Sequence, residues 1–224
     1  MSRIAILTDS SAYLTSDLLE RHDIHVIPLK LHWDGETLVD GVDITPQAFY
    51  HRLATHATLP STSQLSKHDF LQAFDRLADR YEGILVPLIS SGISGTVASA
   101  LAASAEFTRV PVQVVDTHST SAGLALVTLA AAHSVAQGCR LPEVTQVARD
   151  VVQKLHLFFM VDTLKYLHKG GRIGGASRYL GSALRIKPIL FFNGEGKIDA
   201  LERVRTKIKA LERLVDLAEE EARG

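Results

Sequence analysis

The sequence predicts an α/β protein: an N-terminal three-layer α/β/α domain built on a parallel sheet, followed by a smaller α+β domain. Two observations carry this expectation. Through residues 1–157 short β-branched runs alternate with amphipathic stretches, and parallel neighbours need a crossover of the kind a helix supplies. From residue 158 to residue 224 the pattern changes to a glycine cluster, a hairpin-like pair of apolar runs and one charged helix. No Pro/Gly/Ser-rich linker separates the two regions, so the boundary near residue 157 is expected to be a packed one, and residues 28–62 could lend strands to the second domain.

Along the chain, Arg3 to Leu7, Ile24 to Leu29, Gly83 to Leu88 and Val112 to Asp116 read as strands. Helical periodicity occupies Thr15 to His22, Ser66 to Arg80, Ser94 to Phe107 and Ser121 to Gln137. Thr45 before Pro46 makes an N-cap and first-turn pair, and Ser66 with Asp69 resembles a capping box. These two starts leave Thr58 to Leu65 as a loop. After Leu141 and Pro142 a helix runs to about Leu155, then come a strand from Leu157 to Val161, the glycines of Gly170 to Gly175, and a short helix to Leu184. Ile186 to Phe192 and Lys197 to Val204, around Asn193-Gly194-Glu195-Gly196, read as a β-hairpin. The last helix, Thr206 to Arg223, sets Ile208, Leu211, Leu214, Val215 and Ala218 on one face. A hairpin with a single helix makes a thin layer, so the second domain is expected to be incomplete at its C-terminus.

Lys and Arg number 24 against 25 Asp and Glu, a net charge of -1 that draws the chain toward neither nucleic acid nor anionic membrane. No nucleic-acid partner is expected. The single Cys139 excludes an internal disulfide, and Arg3 enters a strand-like run with no export signal, so a cytoplasmic location is expected. Thr117 to Cys139 contains no Asp, Glu, Lys or Arg and is long enough to span a bilayer. Its Ala, Ser, Thr and Gly, with His118 and His133, read better as a helix buried in a soluble core, so no integral membrane segment is expected.

The chemistry concentrates in polar loops at strand ends. Ile89-Ser90-Ser91-Gly92-Ile93-Ser94-Gly95-Thr96 opens a helix, and a helix N-terminus offers unpaired N–H groups and partial positive charge to a carboxylate or phosphate. The same serines could equally do no more than cap that helix. Pro60-Ser61-Thr62-Ser63-Gln64-Leu65-Ser66 masses hydroxyl groups before another helix, and a loop turn is the plainer reading of Thr62. Asp9, in Thr8-Asp9-Ser10-Ser11, either contacts an anion or partner or caps the next helix. In Lys169-Gly170-Gly171-Arg172-Ile173-Gly174-Gly175, Arg172 is suited to a bidentate anion contact, or is a plain exposed arginine at a glycine-rich terminus. The nucleophile elbow, the Walker loop, the dinucleotide fingerprint and the H-E-x-x-H zinc motif are all missing, so neither a catalytic set nor a metal site nor a cofactor is expected.

Six segments, in order, resemble the DegV family, to which the fatty-acid-binding subunits of bacterial fatty acid kinase belong. They are Thr8-Asp9-Ser10-Ser11, Asp40-Gly41-Val42-Asp43-Ile44, Pro60 through Gln64, Ser90 through Thr96, Val115-Asp116-Thr117, and Leu164 through Ile173. The resemblance implies a two-domain protein holding a long-chain fatty acid, such as palmitate or oleate, in an apolar tunnel between its domains. It implies that Thr62 and Ser94 hydrogen-bond the carboxylate, with Ser63 and Ser91 nearby. Arg172 matches the loop arginine associated with the partner kinase, which phosphorylates the acid to an acyl phosphate. The chain would then be a carrier and not itself an enzyme. Leu65 stands where the family often has proline, and the family continues past the position of Gly224 with a His-Thr-Gly-Pro-Gly-like segment. Two other readings remain: an enzyme for a small carboxylated or phosphorylated metabolite, using Asp9 as acid or base and Arg172 as clamp, and a regulatory interaction module.

Overall fold

Two runs, Ile4–Asp9 and Gly83–Leu88, are buried at every residue, as strands in a sheet covered on both faces must be. The computed structural model describes residues 3–180 and 186–223. In chain order its strands and helices are β1 (Ile4–Asp9), α1 (Ser16–Arg21), β2 (Ile24–Ile27), β3 (Lys30–Trp33), β4 (Glu36–Val39), α2 (Pro46–Thr55), β5 (Ser61–Ser63), α3 (Lys67–Ala78), β6 (Gly83–Leu88), α4 (Thr96–Glu106), β7 (Val112–Asp116), α5 (Ser121–Ala136), α6 (Leu141–Lys154), β8 (Phe158–Met160), α7 (Lys165–Lys169), β9 (Lys187–Phe192), β10 (Ile198–Val204) and α8 (Lys207–Ala222). They divide into two compact units, Met1–Gln153 and Lys154–Gly224.

In the first unit a four-stranded parallel sheet runs β2-β1-β6-β7, with Ile6 opposite both Ile24 and Leu85. Ala5 and Leu7 of β1 belong to one apolar cluster with Phe70 and Phe74 of α3 and Val97 and Ala100 of α4. Helix α5 packs on β1 and β6 and buries Leu124, Val127 and Ala131. The chain is therefore an α/β protein with the expected layers. The uncharged stretch from Thr117 to Cys139 is mostly α5, and no helix among the described residues is long and apolar enough to cross a membrane. Both expected helix starts are present. Thr45 Oγ1 accepts from Ala48 N at 3.3 Å, and Ser66 and Asp69 form the full capping box, with Ser66 N donating to Asp69 Oδ2 at 2.8 Å.

A second sheet in this unit, ordered β4-β3-β5, departs from the expected loop between Thr58 and Leu65. The β3–β4 hairpin turns on Asp34 and Gly35, both at positive φ (51° and 84°), which is the two-residue turn that Asp-Gly favours. That hairpin offers β3 as an edge, and Ser61-Thr62-Ser63 pairs with it, Leu31 opposite Thr62 and Lys30 opposite Ser63. A polar tripeptide carries no strand periodicity of its own, so only the edge makes β5 a strand.

In the second unit β8, β9 and β10 form an antiparallel sheet, with the expected hairpin between β9 and β10. Helix α8 packs on this sheet through Ala210 and Leu217, not through the face expected from the sequence: Ile208, Leu211 and Val215 are exposed. The inner face includes Arg213, whose Nε donates to Glu202 Oε1 at 3.0 Å, so an ion pair with β10 helps orient the helix. The glycine cluster is packed at its C-terminal end, Gly174 and Gly175, while Gly171 has open space around it. Gly174 has φ 49°, and a Cβ there would lie 2.1 Å from the Ile198 carbonyl oxygen, so backbone contact with β10 demands glycine. The end of the expected helix near Leu184 lies outside the described residues, which contain a 3-10 turn at Gly174–Tyr179.

Candidate ligand-binding site

Ligand sites in open parallel sheets form beyond the carboxyl ends of the strands, where the connections lead away in opposite directions. In this sheet that point lies between β1, which leads to β2 on one side, and β6, which leads to β7 on the other. The hydroxyl-rich segments that follow β1 and β6 therefore share one edge.

Asp9, the last residue of β1, holds that edge together. Its buried carboxylate accepts from Ser11 N at 2.9 Å, from Ser11 Oγ at 2.5 Å and, across the reversal, from Ile89 N at 2.9 Å. Burial pushes its carboxyl above the ordinary range even though the hydrogen bonds from Ile89 and Ser11 act the other way, and neighbouring Asp40 adds to the rise. Asp9 thus caps the 3-10 turn Ser10–Ala12 while tying it to the next loop. Beyond β6, Ser90 N donates to the Ser119 carbonyl at 2.8 Å, and the Ser90 carbonyl accepts from Ser94 N at 3.1 Å. Ser91 N donates to the Asp116 carboxylate at 3.2 Å, which also takes His118 N at 3.0 Å. Ser94 Oγ lies 2.9 Å from Thr96 Oγ1, and α4 begins at Gly95 without a side-chain cap.

The second hydroxyl segment reaches the same helix start. Gln64, just past β5, lies over Gly95 so closely that a Cβ there would fall 1.9 Å from Gln64 Oε1, and Gln64 Nε2 donates to Ser99 Oγ at 3.4 Å. Thr62 and Ser63 on β5 and Ser91 and Ser94 before α4 therefore sit on adjoining segments.

Two cavities open in this unit, and of these four residues only Thr62 lines one of them. One of about 150 Å³ is lined by Thr62 with Ser11, Leu29, Leu31, Phe49 and Tyr50, and one of about 510 Å³ by Asp9 with Leu14, Leu19, Val26, Pro28 and Val42. They share Tyr13, Asp40 and Pro46. Sequence reasoning left Leu29, Leu31, Phe49 and Tyr50 unmarked, although the Asp34-Gly35 turn signal would have located the sheet layer behind them. Nothing in the sequence singles out Tyr13, which adopts φ 50°. Arg172 belongs to the second unit, where it is exposed and its Nη1 donates to the Gly170 carbonyl at 2.5 Å.

Fold and loops together define an α/β protein with two largely apolar cavities and hydroxyl-rich loops at the carboxyl end of its parallel sheet. The family model for the uncharacterised proteins of the DegV family matches residues 3–224, and the chain belongs to that family. A DegV domain-containing protein of Deinococcus radiodurans is 41% identical over 216 residues, covering 96% of this chain and 75% of that one. Two solved structures are alike throughout: a fatty acid binding DegV family protein from Thermus thermophilus (TM-score 0.92, 35% identity) and DegV, a fatty acid binding protein from Bacillus subtilis (TM-score 0.91, 32% identity). Each comparison covers 99% of this chain and 79% of the other.

Proposed function

We propose that this chain binds a long-chain fatty acid, with Thr62 and Ser94 hydrogen-bonding its carboxylate and Ser63 and Ser91 beside them. It then presents that carboxylate, in the cytoplasm, to a partner kinase that makes the acyl phosphate. The observation that carries the reading is the position of Thr62, in the wall of an apolar cavity and next to the serine loop that opens α4. An acid needs that pairing: apolar wall for its chain, hydroxyl and helix-start N–H groups for its charge. The fatty acid binding of the Thermus and Bacillus relatives supports the same ligand here. In this scheme the chain orients and shields the acid, the kinase supplies the catalytic groups, and Arg172 contacts the kinase. The small-metabolite enzyme gains less support, because Asp9, its acid or base, already receives three hydrogen bonds.

Denaturing extraction and mass spectrometry of the purified protein test the reading. Wild type carries fatty acid in near-stoichiometric amount. A hydroxyl hydrogen bond to a charged group contributes about 1.5–3 kcal/mol, so Thr62→Ala with Ser94→Ala weakens binding by roughly a hundredfold or more and empties the site on purification. A wild type that carries no fatty acid and takes up no added palmitate or oleate would sink the proposal.

A further inference from the structure

We propose that His118 binds the negative charge of the fatty acid headgroup, donating from Nδ1 to the carboxylate held by Thr62 and Ser94 while Asp116 faces its Nε2. The inference rests on the fatty-acid reading and goes beyond it in assigning the cationic partner of the carboxylate.

Position is the first argument. His118 lies ahead of α5, on the turn that leaves β7, and this turn is fastened to the segment that opens α4. Thr117 N and Oγ1 both donate to the Leu88 carbonyl, at 3.2 and 2.8 Å, Ser90 N donates to the Ser119 carbonyl at 2.8 Å, and the Asp116 carboxylate takes Ser91 N and His118 N together. Those bonds hold His118 at φ 48°, a left-handed conformation that costs free energy, beside the loop of Ser91 and Ser94. Hydrogen bonding is the second. His118 Nε2 stands 3.7 Å from Asp116 Oδ2, whereas Nδ1 is buried without a hydrogen-bond partner among the described residues, although 43% of the side chain is exposed. A buried ring nitrogen left unpaired costs free energy, so the position calls for a partner. Between Asp116 and a ligand carboxylate the imidazolium donates at both nitrogens, and each acceptor favours the charged ring. Charge is the third. Four segments meet around the carboxyl ends of β1 and β6, residues 8–12, 60–66, 88–96 and 116–121. They contain Asp9 and Asp116 but no Lys or Arg, and His118 is their one side chain able to carry positive charge. Helix α5 adds no Asp, Glu, Lys or Arg, and its His133 lies in the last turn. Without His118, a carboxylate placed there would meet two acidic groups and no cation on these segments.

The test compares wild type and His118→Asn, each stripped of lipid, by calorimetric titration with laurate and with dodecanol, the uncharged alcohol of the same chain length. Asparagine tolerates the left-handed backbone, so the turn is kept while the ring is removed. The variant is expected to bind laurate about tenfold or more weakly, the loss of one hydrogen bond to a charged group, and dodecanol within about twofold of wild type. Retained dodecanol affinity also shows that the variant is folded. Unchanged laurate affinity means that Nδ1 meets no ligand group, and an equal fall for both ligands means that His118 only shapes the loop. Either result overturns the proposal while leaving the fatty-acid reading standing. A wild type that takes up neither ligand, nor palmitate, overturns the fatty-acid reading itself.

Discussion

Asp9 shows how one residue serves fold and site at once. Its neighbours Ser10 and Ser11 and the position after the first strand are visible in the sequence, but whether it meets a ligand or the backbone is decided by Ile89, eighty residues away, whose N–H it accepts. Because burial holds its carboxyl above the ordinary value of 3.8, its contribution to stability is fullest below that value, where it is protonated in both states. The contribution is lost as pH rises through the raised folded value. Urea unfolding of wild type and Asp9→Asn across about pH 3 to 7 is expected to show the variant gaining relative to wild type as pH rises. Parallel profiles would mean that Asp9 titrates alike folded and unfolded. Thr62 and Ser94 were legible as hydroxyl-bearing residues before helices, whereas Tyr13 was not legible at all, since its backbone conformation and its two cavities arise only when chain segments from three parts of the first unit meet.

At the level of elements, legibility followed locality. The capping box at Ser66 and Asp69 lies within four residues and reads directly from the sequence. Ser66→Ala is expected to cost about 1 kcal/mol, a fall of ~2–4 °C in melting temperature for a chain of this size, measured by circular dichroism. Because α3 lies between the Thr62 strand and β6, the same variant is expected to keep its bound fatty acid, separating helix stability from ligand contact. Strand β5 is the opposite case. Its three residues pair with β3, which lies some thirty positions earlier, and no local pattern records that partner. Helix α8 falls between these two: its amphipathic period is local, but the face it buries was chosen by the sheet and by the Arg213–Glu202 pair, leaving Ile208 and Val215 outward.

For the whole molecule, the proposed function needs a second protein, and Arg172 is where fatty acid binding and the kinase contact can be tested apart. With a fatty acid kinase, ATP and the loaded chain, acyl phosphate formation is expected, and Arg172→Ala is expected to slow it while leaving the extracted fatty acid unchanged. Equal rates for both chains would remove Arg172 from the kinase contact. By itself the sequence determined the α/β class, the segments of the four parallel strands, the helix starts, the β9–β10 hairpin and the family, because each of these is written in local periodicity, capping chemistry or ordered motifs. Only the tertiary structure decided that Ser61-Thr62-Ser63 is a strand, that Asp9 pins two loops together, that Gly95 makes room for Gln64 and that two cavities meet at Tyr13. Each of those facts joins residues distant in the chain, and distance in sequence carries no record of contact until the backbone is folded.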